Sequence, residues 1–324
     1  MSHVRAPHSR ARTMFSPWAR AGLAASAVLI ALTAGFLLTS GFQRTGAGGP
    51  AHRGTGARPR TPVASHSPSN FAAHQPPARH RDPLSAATSY VTGRSGTVLA
   101  SVYDIGTGQT WNLGQGQAQA EASIVKLDIL ETLMARSRDT GAGLPAADSA
   151  LAQRMIEDSD NDAATSLWYA AGGPGQIRSF NASAGLRHTS PSRCVQCPGF
   201  PWPGWGLTTT TAADQITLLQ QLFAPGSLLT YGQRSYVLRL MEHVTSSQRW
   251  GVSGSVPIRA TVALKNGWLP LNDEDTDWQI NSIGWISGLG RDYLMAVLTT
   301  GSPTEQYGID TIDGLSAIVW KDMR

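Results

Sequence analysis

A chain of 324 residues with 41% hydrophobic and 15% charged residues is long enough for one large domain or two small ones and can bury a sizeable core. Its net charge of +4 is unevenly spread: residues 1–82 hold ten arginines and one acid, whereas residues 83–324 hold sixteen basic and twenty-one acidic side chains. A mildly acidic folded part argues against nucleic-acid binding, and two cysteines, Cys194 and Cys197, make no disulfide framework and are too few for a zinc site.

Residues 1–20 are polar and basic, with Arg5, Arg10, Arg12 and Arg20. The uncharged run 21–42, AGLAASAVLIALTAGFLLTSGF, is about the length that crosses a bilayer as a helix. Arginines before it and none within it put the N-terminus in the cytoplasm. The run reads as an uncleaved transmembrane anchor or as a cleaved signal peptide, since it is rich in Ala and Gly. Either way the remainder faces the outside, membrane-held or secreted. Residues 43–82 are rich in Pro, Gly, Ala, Arg and His and have almost no large apolar side chains, the composition of a disordered tether.

The globular part, 83–324, starts at Asp82-Pro83, which reads as a helix start reaching Thr92. Gly96–Asp104 alternates as a strand, Ile105 to Gly108 turn, and Gln109–Leu113 return as a hairpin. From Ala122 the period becomes helical, with Ile124, Leu127, Leu130 and Leu133 at threes. Leu151, Met155 and Ile156 mark a second helix. Asn161 or Asp162 caps a third, which ends at Gly172-Gly173. Thr211 and Asp214 have the spacing of a capping box before a helix through Leu222. Strand character returns at 258–264, 278–287 and 293–299, and a last helix fits 305–320. The order implies an α+β fold: a five-stranded, mainly antiparallel sheet flanked by helices and interrupted by an all-helical lobe.

The chemistry starts from what is scarce. The globular part has two histidines, His188 and His243, no G-x-S-x-G and no H-E-x-x-H, which leaves a Ser-His-Asp hydrolase or a zinc peptidase poorly supported. The whole chain has three lysines: Lys126, Lys265 and Lys321. Ser123 and Lys126 form a Ser-x-x-Lys at the start of an apolar helix, where i and i+3 share a face. A desolvated lysine beside another cation can take the serine proton. Ser159-Asp160-Asn161 falls between two helical segments, where it is either a helix cap or a pair of substrate contacts. Lys265-Asn266-Gly267 ends the predicted strand VALKNG, either as a hairpin turn or as an edge that a substrate approaches closely. Cys194 and Cys197 lie in a Pro- and Gly-rich loop and read as a local, oxidised structural pair rather than a redox centre.

Taken in order, Ser-x-x-Lys, Ser-Asp-Asn and Lys-Asn-Gly resemble the motifs of the class A β-lactamase and penicillin-binding protein superfamily. The resemblance covers residues 83–324 and includes MIEDSDNDAATSLW, AAGGPGQIRSF and LTTTTAAD. It implies a serine hydrolase that needs no cofactor or metal, acts as a monomer, and takes β-lactams or related cell-wall peptides. By the same resemblance Ser123 is acylated, Lys126 is its base and Ser159 relays a proton to the leaving nitrogen. Asn161 binds a substrate amide, and Lys265 with Asn266 takes the carboxylate. The backbone N–H groups of Ser123 and of Trp268, after Gly267, hold the oxyanion.

Three departures stand out. Asn266 replaces the usual Thr or Ser. The Ser123–Ser159 connection is short. No Asp or Glu lies between Asp162 and Asp214, where the family places its deacylating glutamate; the region reads SPSRCVQCPGFPWPGWG. Acylation should therefore be efficient and deacylation slow. The competing expectations are a D,D-peptidase and a non-hydrolytic, membrane-tethered β-lactam or cell-wall sensor.

Overall fold

The structure is a computed structural model that describes residues 81–114, 117–138, 143–200, 202–272 and 274–323. The basic segment, the anchor or signal run and nearly all of the tether lie outside the described residues. Among the described residues, no helix is long and apolar enough to cross a membrane.

The central sheet is built from β1 (Thr97–Asp104), β2 (Thr110–Leu113), β5 (Thr261–Pro270), β6 (Trp278–Gly288) and β7 (Arg291–Ser302), in the order β2-β1-β7-β6-β5. Every pairing in it is antiparallel. Successive side chains of a strand point to opposite faces, and β7 shows this plainly. Its Tyr293, Met295 and Val297 join one apolar cluster with Ile312, Leu315 and Val319 of α8 (Glu305–Asp322). Its Leu294, Ala296 and Leu298 join the other, with the helical lobe.

The lobe lies in sequence between β2 and β5 and contains α2 (Val125–Arg138), α3 (Ala146–Glu157), α4 (Asn161–Ala170), α5 (Gly173–Ala184), α6 (Ala212–Gln220) and α7 (Tyr231–Glu242). A two-stranded ladder of β3 (Gln119–Ala120) and β4 (Thr209–Thr210) completes it. The α+β class, the five strands and the interrupting helical lobe are as expected from the sequence.

Several local expectations are corrected. The helix at the start of the domain is α1 (Thr88–Thr92), not a run from Pro83. Asp82 Oδ1 accepts from Leu84 N at 2.8 Å, and the following bonds run three residues back, so 83–87 are turns that bury Leu84 and Ala87. The cap of α4 is Asp160, whose carboxylate accepts from Ala163 N at 2.7 Å; neither Asn161 nor Asp162 fills that role. Thr211 does cap α6, but the carboxylate of Asp214 turns to His188 N at 2.6 Å and Thr189 Oγ1 at 2.8 Å. Finally, β5 does not stop before Lys265. It continues through Lys265, Asn266 and Gly267 to Pro270.

α2 is buried over ten consecutive residues, Val125 to Met134, including Lys126, Asp128 and Glu131. It is the central helix of the domain and is packed on all sides, so the apolar period at threes describes only part of its buried surface.

Candidate active site

Ser123 sits in a tight turn, Ala122–Ile124, that leads directly into α2. Two neighbours hold that turn. β3 pairs with β4, and Glu121 N donates to Thr208 O at 2.8 Å. From β6, Asn281 Nδ2 donates to Ala120 O at 2.8 Å and Glu121 O at 2.9 Å. Ala122 has φ 50°, a left-handed conformation costly for a residue with a Cβ. Such strain of order 1–3 kcal/mol persists where the surroundings impose it, and here it turns Ser123 outward while Lys126 remains fully buried.

Lys126 Nζ is surrounded by oxygen. It lies 3.0 Å from Ser123 Oγ, 2.6 Å from Ser159 O, 3.0 Å from Ser159 Oγ and 2.7 Å from Asn161 Oδ1. Ser159, between α3 and α4, is a second left-handed non-glycine residue, with φ 57°. Both its carbonyl and its hydroxyl thus reach one nitrogen. Asn161 opens α4, and its amide oxygen is held by Lys126, which explains why it is not the cap.

On the other side, Lys265 Nζ lies 3.0 Å from Ser159 Oγ and 2.9 Å from Asn266 O. Gly267 follows two residues on. A Cβ there would sit 2.6 Å from Ser123 N and 2.8 Å from Ile124 N, so only glycine lets β5 lie against the nucleophile turn. Asn266, between them, is fully buried on the opposite side. Its Nδ2 donates to Gln248 O at 2.7 Å and Trp250 O at 3.1 Å. The structure therefore brings Ser123, Lys126, Ser159, Asn161, Lys265 and Gly267 together but leaves Asn266 out of the cleft. Trp268 is half-buried, with its ring 6.1 Å from that of Trp250.

Burial pushes the Lys126 ammonium well below the usual lysine range, helped by the positive charge of Lys265 and opposed by Asp160. Burial alone brings Lys265 down to about 7. A lysine poised to be uncharged can receive a proton from a hydroxyl 3.0 Å away.

The turn Gly204–Leu207 packs against the nucleophile turn: a Cβ at Gly206 would lie 3.6 Å from Ala122 Cα. Cys194 and Cys197 form a disulfide. Trp202 Nε1 donates to Asp162 Oδ1 at 3.1 Å, and Trp205 Nε1 to Thr165 Oγ1 at 3.2 Å. The Trp205 ring centroid lies 5.0 Å from Lys126 Nζ. The carboxyls nearest the nucleophile along the chain, Glu121, Asp128 and Glu131, are fully buried, and burial raises all three. The carboxyl oxygens of Glu121 and Glu131 have no hydrogen-bond partner, whereas the Asp128 carboxyl accepts from Asn181 Nδ2 at 2.8 Å. Sequence reasoning singled out neither these acids nor Trp205: an acid on a helix resembles a solvated one. The single available clue was the density of tryptophan in the loop.

Comparison with known proteins agrees with this architecture. The model of the β-lactamase enzyme family matches residues 134–323. "Putative lipoprotein LppW" of Mycobacterium tuberculosis is 27% identical over 246 residues, covering 74% of this chain and 72% of that protein. The TLA-1 extended-spectrum β-lactamase superposes with a TM-score of 0.66 at 18% identity, covering 74% of this chain and 97% of that one. A class A β-lactamase from Mycobacterium abscessus gives 0.61 at 23% identity, covering 74% and 98%. The two structures share the serine β-lactamase fold, and the family match runs through more than half of the sequence. On that extent of agreement, this chain belongs to the β-lactamase enzyme family.

Proposed function

We propose that this chain is a serine hydrolase that forms an acyl-enzyme through Ser123 with β-lactams or related cell-wall peptides. The observation that carries this reading is the unbroken chain of polar atoms Ser123 Oγ, Lys126 Nζ, Ser159 Oγ and Lys265 Nζ, each 3.0 Å from the next. Ser123 Oγ attacks the substrate carbonyl and its proton passes to Lys126. The oxyanion forms against the backbone N–H groups of Ser123 and Trp268, where one donor is worth about 2.7–4 kcal/mol. Collapse breaks the C–N bond, and the proton reaches the leaving nitrogen through Ser159. Lys265 takes the substrate carboxylate while it is charged. With its oxygen on Lys126, Asn161 meets a substrate amide through Nδ2.

Intact-mass measurement of the full-length chain after exposure to benzylpenicillin tests the proposal. The expected result is a stoichiometric adduct that is absent from Ser123→Ala. An unmodified protein would refute it.

One observation favours a second reading. The sequence has no Asp or Glu between Asp162 and Asp214, and a tryptophan faces Lys126 from that segment. A D,D-peptidase, or a sensor that holds its adduct, suits such a site better than fast β-lactam turnover. Release of D-alanine from a peptide ending in D-Ala-D-Ala distinguishes the peptidase from the sensor.

The domain works outside the cytoplasmic membrane as a monomer, held by the 21–42 run or secreted if that run is cut. The lipoprotein name of the mycobacterial relative supports the extracytoplasmic placement.

A further inference from the structure

We infer that Trp205 is a water-excluding residue of this site, clamped over Lys126 by the Cys194–Cys197 disulfide, and that it makes the acyl-enzyme long-lived. The inference rests on the acyl-enzyme reading above and goes beyond it: the missing glutamate removes one base, whereas Trp205 removes the water.

Trp205 belongs to the short turn Gly204–Leu207, which abuts the nucleophile turn. A Cβ at Gly206 would lie 3.6 Å from Ala122 Cα, so the two turns are in backbone contact. The indole is only 5% exposed, its ring faces Lys126 Nζ, and its Nε1 is fixed by Thr165 Oγ1. A large apolar ring thus lies against the amine that touches the nucleophile.

The disulfide fixes the entry to that turn. Gly204 N donates to Cys194 O at 2.8 Å, and any Cβ at Gly204 would collide with Cys197 Sγ and press on Cys194 Cβ. The exit is held as well: Thr208 N donates to Trp205 O at 3.1 Å, and Ser192 N to Thr208 Oγ1 at 3.2 Å. The covalent link thus holds Cys194 and Cys197 against Gly204, the residue that opens the Trp205 turn, and makes that turn a plug.

Removing the ring admits water beside an amine that can be uncharged. The water oxygen then attacks the acyl carbonyl carbon while its proton passes to Lys126 Nζ. The tetrahedral intermediate breaks the bond to Ser123 Oγ, which takes the proton back, and the acid leaves. Only water is consumed.

The test follows decay of the benzylpenicillin adduct on the full-length chain by intact mass after excess drug is removed. Trp205→Ala should lose its adduct at least about tenfold faster than the unaltered chain, and Trp205→Phe, which keeps a ring, within about twofold of it. The Cys194→Ser/Cys197→Ser pair should fall between them, and so should the unaltered chain under reductant. Trp205→Leu, which keeps the apolar packing, replaces the alanine variant if that one does not fold. Normal adduct formation with unchanged decay in both the Trp205 and the cysteine variants would overturn the inference and leave acylation standing. No adduct on any of these proteins would reject the acyl-enzyme and the plug together.

Discussion

Lys126 and Lys265 share one oxygen: each nitrogen lies 3.0 Å from Ser159 Oγ. Two ammonium groups on one hydroxyl repel each other in a dry site, so the arrangement favours one positive charge over two. If Lys126 is the uncharged partner that takes the Ser123 proton, Lys265 is the charged one that meets a carboxylate. Lys265 loses its proton at about 7. The second-order acylation rate, which reports the free enzyme, should fall as pH rises through that value. Lys265→Arg cannot discharge and should abolish the descending limb even if it acylates more slowly. A penicillin ester, without the carboxylate, should show no such limb with the unaltered chain. Stopped-flow acylation across pH measures all three.

Lys126→Arg fixes a positive charge where the lysine can be uncharged, and so removes the base. Arginine does not deprotonate, so acylation should drop by about 100- to 10,000-fold. The fold should survive, as read from an unchanged circular-dichroism spectrum. Acylation within tenfold of the unaltered chain would assign the base elsewhere.

Asn266 and Gly267 are neighbours with opposite expected behaviour. Asn266→Ala leaves Gln248 O and Trp250 O without their donor and should cost about 1–3 kcal/mol of stability by denaturant titration. The pH-independent acylation rate should change little, because the side chain faces away from the cleft. Gly267→Ala, by contrast, drives a methyl group into Ser123 N and Glu121 O. It should lower acylation by about a hundredfold or more, on the scale of a lost oxyanion donor.

Glu121, Asp128 and Glu131 make stability depend on pH in the direction opposite to most acids. Their protons are held more tightly in the folded chain than in the unfolded one. Below the unfolded pKa both states are protonated and nothing is lost. As pH rises from about 4 through about 7, the unfolded chain releases protons that the folded chain keeps, and stability falls. Lys126 and Lys265, whose protons are held less tightly in the folded chain, add stability over the same rise in pH, so the acids' downward slope is read as the difference in thermal midpoint between the unaltered chain and its acid variants from about pH 5 to about pH 8. Asp128→Asn and Glu131→Gln should each flatten that slope, as scanning calorimetry of the variants against the unaltered chain will show.

Much of the site is legible in the sequence alone. Lysine scarcity picked out Lys126 and Lys265 because a buried, dischargeable cation is a costly thing to place. Periodicity locates the five strands of the central sheet and most helices, since a side chain's face follows from its position along an element, but the two-residue strands β3 and β4 are too short to show a period. The difficulty lay where tertiary packing outweighs local pattern. Lys265 to Gly267 read as the end of a strand because Asn-Gly marks turns, but β6 pairs with that stretch and carries it on to Pro270. Once the strand continues, alternation sends Asn266 to the far side, which explains the correction to its role. Asp160 rather than Asn161 caps α4 because Lys126, distant in sequence, claims the asparagine. The acids of α2 look solvent-facing in one dimension; only the lobe that closes around the helix makes them internal.

The enclosure of α2 has a further consequence for how the protein can fail. A segment packed on every side over Val125 to Met134 has no route to open by itself. Its amide hydrogens should exchange only when the whole domain comes apart. There is then no half-melted form that retains the sheet while losing Ser123 and Lys126, and heat should abolish acylation and secondary structure at one temperature.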